Sequence, residues 1–247
     1  MSGTQRHIKL SSKNATPVAL VVGDPGRVDK IKLMCDSYIE LAHNREYKSI
    51  ECTYKGAKFL CVSHGVGSAG AAICFEELMN IGVKAIIRAG SCGSLQPGYI
   101  KRGDLCICNA AVREDRVTHL MIYPDYPAVG DFEVYDVLLK CAEELEVKAH
   151  TGISLSSDLY YPKDILPSRL EDYSKANVAV VEMELATLMV MGGLSGVKTG
   201  GIFIVDGCPL KWKEGDFDEV LDPKKLEEMI RVSMLACVTL TNRYTPN

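Results

Sequence analysis

The chain has 247 residues, of which 47% are apolar, 24% charged and 7% aromatic, and its formal net charge is −4 at pH 7. This composition is typical of a soluble globular protein, and it excludes disordered, collagen-like and coiled-coil proteins. The slight acidity gives no general attraction to nucleic acid or to an anionic membrane, so we expect neither partner. No apolar run approaches the roughly 20 residues needed to span a bilayer. The polar first residues lack a secretory signal, and we therefore expect a cytoplasmic protein.

Strand-like and helix-like stretches alternate along the chain, without a linker or an internal repeat. Strands are predicted at 17–23, in a meander over 39–64 with a turn at 55–56, and at 83–89, 104–111, 149–156, 178–181 and 199–205. Helices are predicted at 69–82, 132–145, 168–175, 183–194 and 222–240. This alternation predicts one α/β domain over residues 1–247, with a central mixed β-sheet flanked by helices. Ligands in such folds bind beyond the carboxyl ends of strands, so the residues there are the candidate site.

Ten cysteines are spread along the chain, most of them inside apolar runs. A reduced thiol in such a run packs as a small hydrophobic group. No CxxC pair is present, and no cysteine–histidine cluster has the spacing of a zinc site. We therefore expect reduced core cysteines in a reducing cytosol and no metal centre.

Two strand ends combine glycine with arginine. The first is GDPGR at 23–27, where Gly23 lets backbone N–H groups approach an anion and Arg27 adds a charge at a helix start. The alternative is a Pro-Gly turn beside a surface arginine. The second is RAGSCG at 88–93, where Arg88 lies inside an apolar strand and Ser91 adds a hydroxyl donor. A buried arginine needs a partner, and that partner is either a phosphate-like anion or a carboxylate in a buried ion pair.

Acidic residues follow two other strands. Glu182 and Glu184 lie one residue apart and share a face if the strand geometry continues, where they can accept hydrogen bonds from sugar hydroxyls. The alternative is that they satisfy the positive end of the following helix. Asp206 ends another strand and is a candidate general acid if burial raises its pKa, or else a turn-initiating residue. The single tryptophan, Trp212, can stack on a planar ring.

A GxGxxG pattern runs from Gly65 to Gly70, between a predicted strand and a predicted helix. Dinucleotide-binding folds also need an acid about 20 residues further on, but the next strand ends in Arg88 instead. We therefore interpret these glycines as a wall against which a small ligand lies. Composition alone does not single out His7, Arg45 or Tyr160.

Six motifs, taken in their order and spacing, carry a resemblance that runs nearly end to end: GDPGR, NREYKS, SHGVG, RAGSCG, VVEMELA and VDG. They resemble the hexameric-type nucleoside phosphorylases, a family that includes purine nucleoside and uridine phosphorylases. NREYKS, SDLYYP and DGCPLKWKEGDFD are most similar to the purine-specific members from malaria parasites. The resemblance implies purine salvage, in which 6-oxopurine nucleosides such as inosine and guanosine are cleaved to free base and ribose 1-phosphate. Inorganic phosphate would be the co-substrate, without a metal or an organic cofactor.

The resemblance also implies roles for individual residues. Phosphate would be held by Gly23, Arg27, Arg88 and Ser91, with Arg45 contributed by an adjacent subunit. Asp206 would protonate the purine N7 while phosphate attacks C1′. The implied nucleoside contacts are His7 (reaching the 5′-hydroxyl across a subunit interface), Val66, Cys92, Tyr160, Val181, Glu182, Met183, Glu184 and Trp212. A site completed by a neighbour implies a homo-oligomer, a hexamer built as a trimer of dimers.

Three alternatives differ in the residues that they need. A uridine phosphorylase lacks the purine-protonating acid, and a nucleoside hydrolase needs no phosphate-binding arginines. A non-catalytic nucleoside-binding protein would have lost Asp206 or the arginines, all of which are present. The bacterial pattern places an arginine soon after the acid, whereas none occurs here between Asp206 and Arg231. How Asp206 is tuned therefore stays open, as does a gating role for residues 209–218.

Overall fold

The computed structural model describes residues 3–163, 165–214 and 221–245, with backbone alone for 212–214. The strands are β1 (Val18–Val22), β2 (Ser37–Asn44), β3 (Tyr47–Tyr54), β4 (Ala57–Ser63), β5 (Ala85–Ser94), β6 (Leu105–Glu114), β7 (Ala128–Val129), β8 (Ala149–Ser157), β9 (Val180–Glu182) and β10 (Lys198–Gly207). The helices are α1 (Pro25–Met34), α2 (Ser68–Ile81), α3 (Val117–Met121), α4 (Phe132–Glu144), α5 (Leu170–Lys175), α6 (Leu185–Ser195) and α7 (Pro223–Tyr244). The α/β class is therefore confirmed.

These strands form one mixed sheet in the order β10-β6-β8-β9-β5-β1-β4-β3-β2, and β7 pairs with β6. β10 also pairs with β5, so five of the strands close into a ring. β1 runs parallel to both β4 and β5, and β10 runs parallel to β5. The carboxyl ends of these four strands consequently meet at one edge of the sheet, which is where the sequence predicts the site.

The first strand-to-helix unit shows how local sequence sets this edge. All five residues of β1 are buried, as its unbroken apolar run predicts for a parallel strand covered on both faces. α1 begins directly after it, because the Asp24 side chain accepts a hydrogen bond from the Gly26 N–H at 2.8 Å and Pro25 occupies the first helical position. Arg27 is thereby fixed in the first turn of α1, beside the strand ends.

Helix α6 is buried along most of its length. Its sequence from Leu185 to Ser195 contains no charged residue, and the eight residues from Leu185 to Gly192 are buried. The helix ends at Gly196, which adopts a left-handed conformation with φ of 67°. A helix without a charged face is stable only inside a core, and α6 accordingly packs against β10, β6 and α2.

Eight cysteines are free and buried, as predicted, but Cys35 and Cys52 form a disulfide. The expectation of reduced cysteines is wrong for this pair. The end of α1 packs against β3 and brings the two Cα atoms to 6.0 Å, within disulfide range. A separation of 17 residues gives no sequence signal for such a pairing. Within the described ranges, no helix is both long enough and apolar enough to cross a bilayer.

Candidate functional site

The site lies where the ends of β1, β4, β5 and β10 meet. Register places Arg88 beside Val21, two residues before Gly23. Ser91 of β5 lies beside Ile204, two residues before Asp206. The two arginine-bearing strand ends and the candidate acid, which are far apart in sequence, therefore share one edge.

Arg27 and Arg88 lie close enough for their charges to interact. The half-buried Arg27 donates from Nη1 to the Ala89 carbonyl at 3.4 Å. Burial lowers the pKa of Arg27, and the positive charge of Arg88 lowers it further, against the opposing effects of Asp24 and Asp206. Two guanidinium groups that repel each other in a partly buried space make that space favourable for an anion.

Arg88 is 4% exposed and is paired with carboxylates. Its Nη2 donates to Glu184 and lies 3.6 Å from Glu182, while the guanidinium covers the Phe203 ring at 5.0 Å. Burial alone would lower the pKa of Arg88, but the two carboxylates raise it above its usual value. The buried ion pair is therefore present. It does not use the whole side chain, because Nε and Nη1 have no hydrogen-bond partner in the described part of the protein.

Gly90 makes room for this arginine. A Cβ at Gly90 would lie 1.9 Å from Nη1 of Arg88, so any larger residue would displace the guanidinium. This glycine therefore serves to accommodate a side chain.

Glu182 is held by the start of α6. Its Oε2 accepts hydrogen bonds from the backbone N–H groups of Glu184 and Leu185, each at 2.8 Å, and Oε1 accepts from the Ser156 hydroxyl. Burial raises the pKa of Glu182 despite the nearby guanidinium. The helix-capping alternative thus describes Glu182, whose side chain organises the turn from β9 into α6.

Glu184 has a different environment, although it is just as deeply buried. Its Oε1 accepts from the Gly67 N–H at 2.6 Å, and its Oε2 accepts from Arg88. Burial would raise the pKa of Glu184, but Arg88 and the other donors lower it below the usual range. Glu184 is therefore an ionised carboxylate, and it links the glycine loop at 65–67 to the arginine.

Asp206 sits at the end of β10, beside an irregularity in the β10–β5 register between Val205 and Gly207. Burial raises the pKa of Asp206, while a hydrogen bond with Ser91 and the charges of Arg102 and Arg27 moderate the rise. Positive charge does act on this acid, but it comes from Arg102, which precedes β6, and from Arg27 of α1. No sequence pattern pointed to Arg102.

Three residues predicted to contact the base lie around this acid. Cys92 is buried and its thiol points to the Ile204 carbonyl at 3.6 Å, whereas Val181 of β9 is half-buried beside Gly93. Burial raises the pKa of Tyr160, and the negative charge of Asp206 raises it further. The phenol of Tyr160 therefore interacts electrostatically with this acid.

The glycine loop and the start of α6 bring further predicted residues together. Val66 is 80% exposed between Gly65 and Gly67. The Met183 carbonyl accepts a hydrogen bond from the Ser68 hydroxyl at 3.0 Å, so the loop and the β9–α6 turn are joined. The side chain of Trp212 lies outside the described residues, as do residues 215–218 of the predicted gating segment.

His7 and Arg45 are not brought to this cluster within the chain. Nδ1 of His7 lies 2.7 Å from Oε1 of Glu77, whose carboxylate also accepts the His7 backbone N–H. Arg45 is exposed in the β2–β3 turn, with φ of 55°. In the described part of the chain, neither makes a hydrogen bond or ion pair with Arg27, Arg88 or Asp206. Their implied role at a neighbour's site stays a prediction.

The sequence interpretation missed several contacts at this edge. Ser156 holds Glu182, Ser68 ties the loop to Met183, and Arg102 acts on Asp206. His64 is fully buried among the same charges, although the sequence singles it out only as part of the SHGVG motif. Its place directly after an apolar strand was the available signal.

Comparison with known proteins gives four similarities. The model of the phosphorylase superfamily matches residues 17–236. The chain is 74% identical over 240 residues to a purine nucleoside phosphorylase of Plasmodium vivax (strain Salvador I), covering 97% of this chain and 98% of the relative. The structure of a Plasmodium knowlesi homologue of Plasmodium falciparum PNP has a TM-score of 0.89 and 72% identity over 99% of this chain and 97% of that one. The structure of purine nucleoside phosphorylase from Toxoplasma gondii in complex with immucillin-H has a TM-score of 0.95 and 40% identity, over 99% of this chain and 98% of that one.

Proposed function

The chain belongs to the phosphorylase superfamily, and on that premise we propose that it is a purine nucleoside phosphorylase. It cleaves 6-oxopurine nucleosides such as inosine and guanosine with inorganic phosphate, giving the free base and ribose 1-phosphate. The observation that carries the proposal is the pair of guanidinium groups at one strand edge, where Arg88 keeps two buried donors unpartnered among the described residues. A similar relative that is named a purine nucleoside phosphorylase supports the choice of substrate class.

Phosphate is the first substrate to place. Gly23, Arg27, Arg88 and Ser91 lie around the meeting strand ends, and the unpartnered Nε and Nη1 of Arg88 supply charge-assisted donors. Arg45 from an adjacent subunit completes this set in a homo-oligomer, a hexamer assembled as a trimer of dimers. His7 of that neighbour reaches the 5′-hydroxyl.

The nucleoside lies between the ribose-binding turn and the acid. Met183 and Glu184 hold the ribose hydroxyls, and Glu184 is suited to this because its lowered pKa keeps it an ionised acceptor. Glu182 fixes the turn that carries both residues. The base packs against Val66, Cys92, Tyr160 and Val181, with Trp212 beside it.

The reaction breaks the C1′–N9 bond, and its electron pair goes to the departing purine. A phosphate oxygen forms the new bond to C1′ as an oxocarbenium-like ribose develops. Asp206 donates its proton to N7 of the leaving base, a role that the raised pKa of its carboxyl favours. These bond changes need neither an electron carrier nor a Lewis acid, so we propose that the reaction proceeds without a cofactor. We also propose that it takes place in the cytoplasm.

Absorbance of inosine, read with and without phosphate, tests the proposal. We expect cleavage that requires phosphate and yields hypoxanthine and ribose 1-phosphate in equal amounts. Asp206→Asn should abolish most of it, whereas the surface variant Asp136→Asn on α4 should retain it. Cleavage without phosphate would indicate a nucleoside hydrolase, a strong preference for uridine would indicate a uridine phosphorylase, and saturable binding without cleavage would indicate a binding protein.

A further inference from the structure

His64 is the one histidine of the described residues that is fully buried, and it lies at the same edge as the site. Its backbone N–H donates to the Val22 carbonyl at 2.9 Å, which extends the parallel pairing of β4 with β1. A Cβ at Gly23 would lie 3.9 Å from Cε1 of His64, the carbon between the two ring nitrogens. The imidazole is therefore inside the protein, directly beside the glycine of the first strand end.

Both ring nitrogens of His64 are buried without a hydrogen-bond partner among the described residues. A neutral imidazole carries one N–H donor and one acceptor, and burying them unpaired is unfavourable. On the side of α2 the ring meets Phe75, edge to face at 5.4 Å, which offers no acceptor. The Gly65 carbonyl is near enough to favour the protonated ring but lies outside hydrogen-bond geometry.

Three charged side chains act on this ring: Glu184 at the start of α6, then Arg88 of β5 and Arg27 of α1. Glu184 has the largest influence of the three. It is also tied to the loop that His64 begins, because the Gly67 N–H donates to Oε1. His64, Arg88 and Glu184 are thus three buried groups that interact electrostatically, with exposures of 0%, 4% and 3%. The carboxylate is the acceptor among them, and the imidazole carries a donor that is unused, as are two donors of Arg88.

Arg88 has two tasks in the proposed function, since it binds Glu184 and its remaining donors hold phosphate. Glu184 accepts one donor at each oxygen, so any shift of the guanidinium toward phosphate weakens the contact at Oε2. We propose that His64 is a positioning residue for Glu184: its imidazole N–H donates to the carboxylate as Arg88 engages phosphate, and it keeps Glu184 in place for the ribose hydroxyls. This inference rests on the proposed function.

The charge state of the ring suits this role. Burial, Arg88 and Arg27 lower the pKa of His64 to about 4 against the effect of Glu184, so the imidazole is neutral near pH 7. A neutral donor satisfies the carboxylate without removing its charge and without adding a third cation beside the two arginines. Glu184 accordingly stays a strong acceptor for sugar hydroxyls.

The first test is a substrate comparison in His64→Phe, which removes both nitrogens, and in His64→Gln, which keeps an N–H donor. The exposed His43→Phe is the matched control. The wild type should cleave inosine faster than 2′-deoxyinosine or 3′-deoxyinosine, because Glu184 binds the hydroxyls. In His64→Phe this preference, measured as a ratio of kcat/KM values, should fall about tenfold or more, the size of one hydrogen bond to a charged group. His64→Gln should restore part of it.

The second test has its main readout in the wild-type protein. The ring N–H of His64 is followed by NMR in the wild-type protein while inorganic phosphate alone is added. We expect a downfield N–H signal to appear with phosphate and to be lost in Glu184→Gln. No response to bound phosphate, or the same signal in Glu184→Gln, would overturn the inference.

The two proposals fail in different ways. If the wild-type protein neither binds phosphate nor cleaves inosine with it, the proposed function is wrong. If the wild type does both but His64→Phe, folded as judged by its melting temperature, keeps the full preference for ribose hydroxyls, His64 does not position Glu184. The pH profile of kcat/KM should be the same in His64→Gln and the wild type between pH 6 and 8, because the ring is neutral throughout that range. A difference between the two profiles would likewise contradict the inference.

Discussion

Replacing Arg88 by Met should separate the two contacts that this side chain makes. Methionine fills much of the apolar stem of the arginine but provides no donor. Glu184 would then keep only the Gly67 N–H, and the anion site would lose its most deeply buried cation. We therefore expect a loss of stability and, separately, a loss of phosphate binding.

The structure sets the size of both effects. Removing one partner of a buried ion pair leaves the other charge uncompensated and costs about 3–5 kcal/mol. For a chain of this length, roughly 2–4 °C of Tm is lost per kcal/mol, so Tm should fall by about 6–20 °C. Two charge-assisted donors to phosphate are lost as well, and we expect the affinity for phosphate to fall about 10²-fold or more.

The stability loss should depend on pH with a defined sign. In the wild type Arg88 holds the pKa of Glu184 below its usual range, so this pairing stabilises the fold above the ordinary carboxyl pKa and is lost as pH falls. In Arg88→Met the pKa-lowering effect of Arg88 is gone, and burial raises the pKa of Glu184 against the remaining Gly67 N–H, so the variant loses stability as pH rises. The difference in Tm between the two proteins should therefore be larger at pH 7 than at pH 5.

Calorimetric titration with inorganic phosphate and thermal unfolding together provide the assay. Glu184→Gln is the matched control, since it removes the buried carboxylate charge and leaves the guanidinium free to bind an anion. The double variant Arg88→Met/Glu184→Gln should recover much of the Tm lost in Arg88→Met, yet still bind phosphate poorly. Wild-type phosphate affinity in Arg88→Met would refute the reasoning, because the buried arginine would then serve the ion pair alone.

Three further predictions concern other parts of the chain. Asp206→Asn should lower kcat for inosine about 10²-fold or more but cost far less with a nucleoside whose base departs unprotonated, and equal losses on both would exclude a general acid. Glu133, whose pKa its Lys198 and Arg243 partners lower to about 2, should stabilise the fold above about pH 4.5 and lose that effect toward pH 2. Denaturant unfolding across this range should therefore show a smaller acid loss in Glu133→Gln than in the wild type. In denaturant without reductant, the Cys35–Cys52 disulfide should leave two of the ten cysteines unalkylated, and full alkylation would contradict the bond. Cys52→Ser should be less stable by about 3 kcal/mol, as a closed loop of 17 residues implies.

Local sequence was sufficient for the elements and for the class of fold. The apolar run at 17–23 predicted a strand buried on both faces, and β1 is that strand. The predicted helix at 132–145 is α4, Phe132–Glu144, because apolar spacing and the Asp131 cap are both local signals. The sequence also predicted that polar residues at strand ends would meet, since parallel strands bring their carboxyl ends to one edge.

Which of those residues contact one another was decided by the tertiary structure alone. From the sequence, the partner of Arg88 is either a phosphate-like anion or a carboxylate. In the fold Arg88 pairs with the Glu184 carboxylate, and two of its donors remain unpaired among the described residues. Spacing made Glu182 and Glu184 equivalent, but in the fold Glu182 accepts the N–H groups at the start of α6 and Glu184 is an ionised acceptor beside Arg88. Asp206 lacks an arginine nearby in sequence, and Arg102 supplies the charge through space. Burial and electrostatics depend on contacts between distant segments, so these distinctions exist only in the folded chain.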